Sequence, residues 1–343
     1  MKLTSVTPVR KPGICYAQTV NGQELPVIDL TNPAFFFAPP SDTEMATVIQ
    51  KDAAEQERFN RRPAFLRKPI LWYLSRRSKL MRGVMSAHGT FLTGMNTYLM
   101  KLGPNNLGKG FNQLDRLLAS SIPAISLRHR MQEIVRLMTE SVAPLLAAHP
   151  GRDFQLVNIA GGPSLDSINL LIRLHRDHPR LLPGRLIRIH VLDLESAGPV
   201  FGGRALLALM APHEPLAGLD ITLDYTPYHW DEPQRLQACL ESLKLRDSIV
   251  VASSEGGLFD YGTDSQIIGH LKIIRTMTPH HTVVAATTTP TEGPGCAFNQ
   301  TSGTRTISRT RDAFGELVAS AGWVVSEVAG VMMNDVSVLK KSA

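Results

Sequence analysis

The chain has 343 residues, a formal net charge of +6, and 43% hydrophobic and 19% charged residues. This composition is typical of a globular protein and excludes a collagen-like chain, while the length predicts two structural units. No apolar run of about 18 residues is present, so we expect neither a membrane-spanning helix nor a secretory signal. The three cysteines, Cys15, Cys239 and Cys296, are far apart in the sequence. We therefore expect a cytoplasmic protein with no disulfide framework and no metal site.

The first 150 residues predict a small hairpin followed by helices. The dipeptide Asn21–Gly22 separates the alternating runs ICYAQTV and ELPVIDL, and it favours the positive φ angles of a hairpin turn. The Phe- and Pro-rich segment NPAFFFAPPSD predicts a connector whose aromatic rings are held in a core. Helices are predicted over residues 45–59, from Pro69 onward, and over 90–102, 113–120 and 127–148.

A basic stretch runs from Arg58 to Arg82, with nine Lys or Arg residues and no Asp or Glu. Such a stretch attracts anions, and nucleic acid is one of the partners that it could bind. A solvated or acid-paired helical face explains it more simply, so we do not expect nucleic acid as a partner.

After residue 150 the pattern changes to alternating strands and helices. Strands are predicted at 154–160, 186–194, 221–225, 248–254, 282–289, 323–330 and 334–341. Helices between them predict a doubly wound, seven-stranded, mostly parallel α/β sheet. The last two strands have no helix between them and predict a terminal antiparallel hairpin. The expected domains are thus a helical region over 1–150, which forms a lid or substrate region, and a sheet domain over 151–343.

A glycine pair follows the first strand of this sheet, in the sequence VNIAGGPS. Gly161 and Gly162 allow a sharp turn and a close approach of a ligand to the backbone, and Ser164 begins the next helix. A dinucleotide signature needs a third glycine where Asp166 stands, and no Walker A lysine follows. A tight turn without a ligand remains the alternative.

An acidic residue ends the second strand, in the sequence HVLDLES. Asp193 lies at the carboxyl edge of the predicted sheet, where open α/β sheets bind ligands. Its carboxylate can accept hydrogen bonds from both hydroxyls of a ribose. A helix N-cap is the alternative role.

Taken together, VNIAGGPS, HVLDLE and the terminal hairpin over residues 154–341 resemble the class I S-adenosylmethionine-dependent methyltransferases. The resemblance implies S-adenosylmethionine as cofactor. It implies that the loop with Gly161, Gly162 and Ser164 lies under the methionine moiety, and that Asp193 holds the ribose.

The resemblance also suggests residues for both ends of the cofactor. Tyr225, just after the third strand, is expected to stack on adenine, although a rim tyrosine is the alternative. An arginine before the first strand binds the methionine carboxylate in some relatives. Arg128 or Arg130 is the candidate here, with an exposed helical arginine as the alternative.

The fourth strand ends in ASSEGGLFDYG, where the family places the methionine end and the start of the substrate site. Ser253 and Ser254 are expected to bind the cofactor, and Glu255 is expected to hold its ammonium group or to act as a base. His229 and Tyr261 are the other catalytic candidates. The motif NPPY of methyltransferases that modify amino groups of nucleic acids is missing here, which counts against such targets.

Three functions remain open at this point. The first is a methyltransferase for a small molecule, in specialised metabolism, acting alone or as a homodimer. The second uses the same cofactor for cyclisation or alkyl transfer, such as azetidine ring formation, and releases methylthioadenosine. The third is an RNA-binding methyltransferase or a binding module without catalysis, which would use the basic stretch.

Overall fold

A computed structural model describes residues 10–38, 61–243 and 245–342, with isolated positions between 43 and 58. The strands are β1 Tyr16–Gln18, β2 Glu24–Pro26, β3 Phe154–Ile159, β4 Leu186–Asp193, β5 Asp220–Pro227, β6 Ile249–Ser254, β7 Val283–Thr288, β8 Trp323–Gly330 and β9 Asp335–Lys341. The helices are α1 Ala64–Arg77, α2 Lys79–Ser86, α3 Gly94–Lys101, α4 Gln113–Leu118, α5 Ile122–Ala148, α6 Leu165–Asp177, α7 Ala197–Leu209, α8 Pro233–Ser242, α9 Leu258–Tyr261, α10 Asp264–Met277, α11 Pro294–Ser302 and α12 Arg311–Ser320.

The predicted seven-stranded sheet is confirmed. Its strand order is β5-β4-β3-β6-β7-β9-β8, and β9 is antiparallel to both of its neighbours. The first five of these strands pair in parallel. The chain order reverses between β3 and β6, so the carboxyl ends of these two strands flank the point where ligands bind in such sheets.

Each face of the sheet has its own apolar core. Every residue of β3, β6 and β7 is buried, which is typical of central parallel strands covered on both faces. Residues such as Leu156 and Val251 face a core formed with α5, α6, α7 and the N-terminal hairpin. Alternate residues such as Val157 and Val250 face a second core formed with α8, α10 and α12.

The N-terminal region packs against the first of these cores. The Tyr98 hydroxyl on α3 donates to the Pro26 carbonyl (2.5 Å), and Asn169 on α6 donates to the Ile28 carbonyl (3.1 Å). Of the connector's aromatic rings, Phe35 is buried as predicted, whereas Phe36 is 59% exposed. The hairpin and the helices of the extension therefore share one apolar core with the sheet.

Two helix boundaries differ from the sequence predictions. Pro69 does not begin a helix but lies inside α1, and the chain instead breaks at Ser78, which is extended and caps α2 through its side chain. The long helix α5 begins at Ile122 rather than at residue 127, because Pro123 is favourable in a first helical turn. The helix predicted over 45–59 lies largely outside the described residues.

No helix among the described residues is long and apolar enough to cross a lipid bilayer. The basic stretch falls mainly on α1 and α2. There, Arg76 lies over the Trp72 ring (4.2 Å from its centroid) and Arg77 over the Tyr73 ring (5.2 Å), so some of its cations pack on exposed aromatic rings.

Candidate functional site

The glycine loop and Asp193 meet at the carboxyl edge of β3 and β4. The Gly162 N–H donates to Asp193 Oδ2 (2.9 Å), and the Glu195 N–H donates to Asp193 Oδ1 (2.9 Å). Burial raises the pKa of Asp193, and these backbone hydrogen bonds act in the opposite direction. Each carboxylate oxygen keeps lone-pair capacity for another donor.

The loop itself has an unusual backbone. Ala160, Gly162 and Ser164 all have left-handed φ angles, of 55°, 56° and 56°. Two of these residues are not glycine, so the loop stores conformational strain of a kind that gathers at functional sites. Gly161 has no room for a side chain, since a Cβ atom would lie 2.0 Å from Asn158 Oδ1 beneath it.

A buried polar network supports the loop from below. The Asn158 amide donates to Asp166 Oδ1 (2.6 Å) and to Ser253 Oγ (3.2 Å). Asp166 Oδ2 and Ser164 Oγ are buried and have no hydrogen-bond partner among the described residues. Burial raises the pKa of Asp166. The network holds the loop in place and joins the ends of β3 and β6.

The segment Phe91–Gly94 of the N-terminal region covers the glycine loop. A Cβ atom on Gly94 would lie only 2.5 Å from Gly162 Cα. The start of α7 approaches from another side, where a Cβ atom on Gly198 would lie 2.7 Å from the Gly162 carbonyl carbon. Backbone of the protein therefore lies where a ligand would approach the loop.

A small cavity remains beside Asp193, and we name it the Asp193 cavity. Its volume is about 30 Å³, which is room for about two water molecules. It is lined by Phe91, Leu92, Thr93, Gly94, Ala160, Asp193, Leu194, Glu195, Tyr228, Trp230, Gly256, Gly257 and Tyr261.

Three aromatic rings line this cavity. Trp230 and Tyr261 lie nearly parallel, with an interplanar angle of 7° and ring centroids 6.4 Å apart. Phe91 contacts both edge-on, with centroid distances of 5.6 and 6.0 Å. The Tyr261 hydroxyl also interacts with the Leu92 backbone and the Thr306 side chain. The covering segment is thus fixed by ring contacts and by a hydrogen-bonding group.

Four buried charged groups form a cluster next to Gly256, and they belong to Lys101, Arg130, Glu255 and Asp260. Glu255 Oε2 pairs with Lys101 Nζ of α3, and Glu255 Oε1 accepts from Arg130 Nε of α5 (2.8 Å). Asp260 lies 3.9 Å from Arg130 and accepts hydrogen bonds from the hydroxyls of two threonines, Thr287 and Thr289. Burial alone would raise the pKa of Glu255, but Lys101 and Arg130 outweigh it and lower that pKa. Glu255 is therefore ionised, and it bridges Arg130 and Lys101, whose own pKa is lowered mainly by burial.

A second cavity lies on the other side of Gly256, and we name it the Arg130 cavity. Its volume is about 60 Å³. It shares Leu92, Gly256 and Tyr261 with the Asp193 cavity. The remaining lining residues are Thr97, Met100, Pro123, Ser126, Leu127, Arg130, Asp260, Thr289, Gly295, Phe298, Asn299, Thr304, Thr306, Met333 and Asn334.

The segment after β7 forms one wall of the Arg130 cavity. It contains α11 and then runs beside the N-terminal region, where Gly89 N donates to the Gly303 carbonyl (2.8 Å) and Arg305 N donates to the Thr90 carbonyl (3.0 Å). Arg309 fixes its far end through hydrogen bonds to Asp264 Oδ1 (2.9 and 3.0 Å). The segment after β7 therefore borders the Arg130 cavity.

No family model matches this chain, and no curated protein sequence matches it. Among solved structures, one described as a possible exported protein from Bordetella parapertussis is 15% identical, with a TM-score of 0.55. The match covers 91% of this chain and 99% of that chain, and it shows a common fold.

Two further structures match less well. LepI, in complex with S-adenosylhomocysteine and a substrate analogue, is 14% identical over 88% of this chain and 95% of its own (TM-score 0.44). The 1,6-didemethyltoxoflavin-N1-methyltransferase of Burkholderia thailandensis is 15% identical over 62% of this chain and 79% of its own (TM-score 0.38). TM-scores this low do not support a conclusion about this chain.

The strand order and the antiparallel β9 decide the fold. The chain has a Rossmann-like fold, and its strand order is the one that the resemblance to the class I S-adenosylmethionine-dependent methyltransferases implies. In this fold the glycine loop follows β3 and Asp193 ends β4, as the sequence predicts. Their roles toward a cofactor remain predictions.

The other expected cofactor residues are spread around the cavities. Tyr225 on β5 lies near enough to Asp193 that this carboxylate helps to raise its pKa, after burial as the larger cause. Ser254 Oγ accepts from the Leu258 N–H (2.9 Å) and so supports the start of α9, while Ser253 belongs to the network under the loop. Arg130 lines the Arg130 cavity, whereas Arg128 lies over the Phe37 ring (4.9 Å).

The three expected catalytic residues have different positions. Tyr261 lines both cavities, and burial raises its pKa. His229 is half-buried, stacks beside Trp230 and accepts from the Asp231 N–H through Nδ1 (3.1 Å). Glu255 lies behind Gly256 with both oxygens engaged by cations. A direct catalytic role for each stays a prediction.

Several residues of the site were not found from the sequence. Lys101 was part of a helical run, and nothing in its neighbourhood marks it as a partner of Glu255 154 residues away. Asp260 and Trp230 are the sequence neighbours of Tyr261 and His229. The segments that contain these two candidates could therefore have pointed to them as well. No group of three or more metal-binding side chains is found among the described residues.

Proposed function

We propose that this chain is an S-adenosylmethionine-dependent methyltransferase acting on a small molecule. The observation that carries the proposal is the pairing of the glycine-loop amide of Gly162 with the Asp193 carboxylate at the edge of β3 and β4. This pairing leaves a carboxylate facing a cavity with an aromatic wall, which is the chemistry that a nucleoside requires. A place in specialised metabolism and a cytoplasmic location stay predictions from the sequence.

The chemistry of the Asp193 cavity fits S-adenosylmethionine. Asp193 can accept two ribose hydroxyls, Trp230 offers an aromatic face for adenine, and Gly256 and Gly257 leave the backbone open toward the methionine end. The bound cofactor would supply an activated methyl group and its own leaving group. The protein's residues would then orient the acceptor and exclude water.

The present volume of the Asp193 cavity does not fit the cofactor. Sites for drug-sized ligands measure roughly 300–1,000 Å³, about tenfold more than this cavity. The segment Phe91–Gly94 occupies space beside the cavity, since Gly94 lies against the glycine loop and the Phe91 ring contacts the Trp230 ring. We therefore propose that the N-terminal region is a lid, and that this segment moves outward when the cofactor enters.

Calorimetric titration with S-adenosylhomocysteine tests the cofactor role. Asp193→Ala should weaken binding by about 1–3 kcal/mol, or roughly 5–150-fold, because charged hydrogen bonds to the ribose are lost. Asp224→Ala is the matched control, because this aspartate is exposed on the neighbouring strand β5. Unchanged affinity in a folded Asp193→Ala protein would remove the ribose role.

The reaction itself is identified by its product. Incubation with S-adenosylmethionine and candidate acceptors should yield S-adenosylhomocysteine together with a product heavier by one methyl group. Mass spectrometry that finds methylthioadenosine instead would replace methyl transfer by the cyclisation or alkyl-transfer reaction.

A further inference from the structure

The Arg130 guanidinium is buried but only partly used by the protein. The residue is 6% exposed and has five N–H donors. Its Nε–H donates to Glu255, while its terminal nitrogen Nη1 lies 3.9 Å from Asp260, which is beyond hydrogen-bond distance. Within the described part of the chain, its four terminal N–H groups make no hydrogen bond. Buried donors of this kind normally have partners.

These donors lie beside the Arg130 cavity. Arg130 is one of its lining residues, and Asp260 directs its two oxygens to Thr287 and Thr289 rather than to the guanidinium. Burial alone would lower the pKa of Arg130, but Glu255 and Asp260 outweigh it and raise that pKa, so the group stays cationic.

Ser126 gives a second and independent indication of a ligand. It stands one helical turn before Arg130 on α5, so both side chains lie on the same face of the helix. The serine is 1% exposed and lines the same cavity, and its hydroxyl has no hydrogen-bond partner in the described structure. A serine inside a helix often bonds to the carbonyl four residues earlier, and this one does not.

The size and position of the cavity restrict the ligand further. A volume of about 60 Å³ holds about four or five water-sized probes, enough for a carboxylate with a short chain. Among the described residues, Leu92, Gly256 and Tyr261 line both this cavity and the Asp193 cavity, and we call these three residues the neck. A group bound to Arg130 would therefore lie across this neck from a cofactor bound at Asp193.

We propose that the Arg130 cavity is the acceptor site and that the methyl acceptor carries a carboxylate, held by Arg130 and by the Ser126 hydroxyl. The planar guanidinium matches the two oxygens of a carboxylate. The proposal rests on the proposed methyltransferase function. It assigns Arg130 to the acceptor, and not to the methionine carboxylate of the cofactor, which is the role that the family resemblance implies.

Propionate and its neutral isostere propionamide are suitable probes, because they fit the cavity and differ in charge. The full chain, with and without saturating S-adenosylhomocysteine, is titrated with each probe by saturation-transfer NMR. Propionate should bind roughly tenfold or more tightly than propionamide, since it gains charged hydrogen bonds. Equal binding of the two probes, or binding of neither, would overturn the proposal.

Variants locate the binding. Arg130→Met should abolish propionate binding, and Arg136→Met, on the same helix but in a half-exposed ion pair, should not change it. Because Arg130 also supports Glu255, Ser126→Val is made as well. The Ser126→Val substitution leaves the ion pairs intact and replaces the hydroxyl that faces the cavity by methyl groups. It should weaken propionate binding roughly tenfold or more. Unchanged propionate binding in Ser126→Val would contradict the proposal.

The ligand S-adenosylhomocysteine separates this inference from the function on which it rests. If Arg130 holds the methionine carboxylate instead, Arg130→Met weakens S-adenosylhomocysteine but not methylthioadenosine, which lacks that carboxylate. This outcome would overturn the acceptor site and keep the cofactor. Failure of the wild-type chain to bind S-adenosylhomocysteine would overturn the proposed function, while the propionate titration would still report on the cavity.

Discussion

The two cavities differ in how the chain builds them. One side of the Asp193 cavity is formed by Ala160, Asp193, Leu194 and Glu195, at the ends of β3 and β4. The Arg130 cavity is lined mainly by residues on α3, α5 and α9, in the segment after β7 and in the β8–β9 turn. Under the proposed function, cofactor binding depends on short local motifs, whereas acceptor binding depends on long-range packing.

The ion cluster between the cavities should give the largest effect. Glu255→Gln leaves Lys101 and Arg130 without their shared carboxylate, so we expect a loss of about 3–5 kcal/mol in the free energy of unfolding. Turnover should fall roughly 10–1,000-fold, because both cavities share Gly256 next to this residue.

Chemical denaturation and steady-state kinetics measure these two effects. Glu133→Gln is the matched control, since its ion pair with Arg136 is partly exposed and contributes about 0–1 kcal/mol. Equal losses of unfolding free energy in the two variants would show that the buried cluster stabilises the fold no more than a partly exposed ion pair does.

The contribution of Glu255 should also depend on pH. Its pKa lies below the ordinary 4.5, so the ionised group stabilises the fold above that value, and this stabilisation is lost as the pH falls through the lowered pKa. The difference in unfolding free energy between wild type and Glu255→Gln should therefore narrow below about pH 4.5. Burial is the largest cause of the raised pKa values of Asp166 and Asp260 and acts in both proteins, whereas the smaller contribution of Glu255 to these pKa values is lost in the variant. If the difference in unfolding free energy between the two proteins widens as the pH falls, the predicted direction is wrong.

The covering segment should respond to a single methyl group. Gly94→Ala places a Cβ atom against Gly162 Cα, and overpacking of this kind costs about 1–3 kcal/mol. Because the clash opposes the covered arrangement, affinity for S-adenosylhomocysteine should rise roughly fivefold or more. In the control Gly203→Ala the new methyl group meets open space on a helix, so stability should increase by about 0.5–1 kcal/mol with unchanged affinity. Weaker ligand binding in Gly94→Ala would show that the segment assists binding.

The smallest effect is expected at the neck between the cavities. Tyr261→Phe removes the hydroxyl that interacts with Leu92 and Thr306, and should reduce stability by about 0.5–1.5 kcal/mol. Burial raises the pKa of this phenol, which makes it a poor base near neutral pH, so turnover should fall less than about tenfold. A loss of roughly 100-fold or more, with a changed pH–rate profile, would instead assign it the proton transfer.

The sequence predicted the sheet well, since strands and helices follow from local periodicity and the helices between the strands imply parallel pairing. It also predicted that Gly162 and Asp193 would lie together, because the carboxyl ends of parallel strands share one edge. The pairing of Lys101 with Glu255 could not be predicted, since it depends on where the N-terminal helices pack. Ser126 had no local signal, because its meaning comes from the cavity that it faces.

The hydrogen bond between Gly162 and Asp193 has a consequence for which nucleotides the chain can accept. In dinucleotide-binding proteins the amides of such a loop face the ligand's phosphates. Here the amide of Gly162 is already bound by a carboxylate of the protein itself. A phosphate 4 Å away would meet repulsion of about 1 kcal/mol in water and about 4 kcal/mol near a protein surface. We therefore expect the loop to disfavour a phosphate group at Gly162 and to favour a nucleoside whose charge is positive.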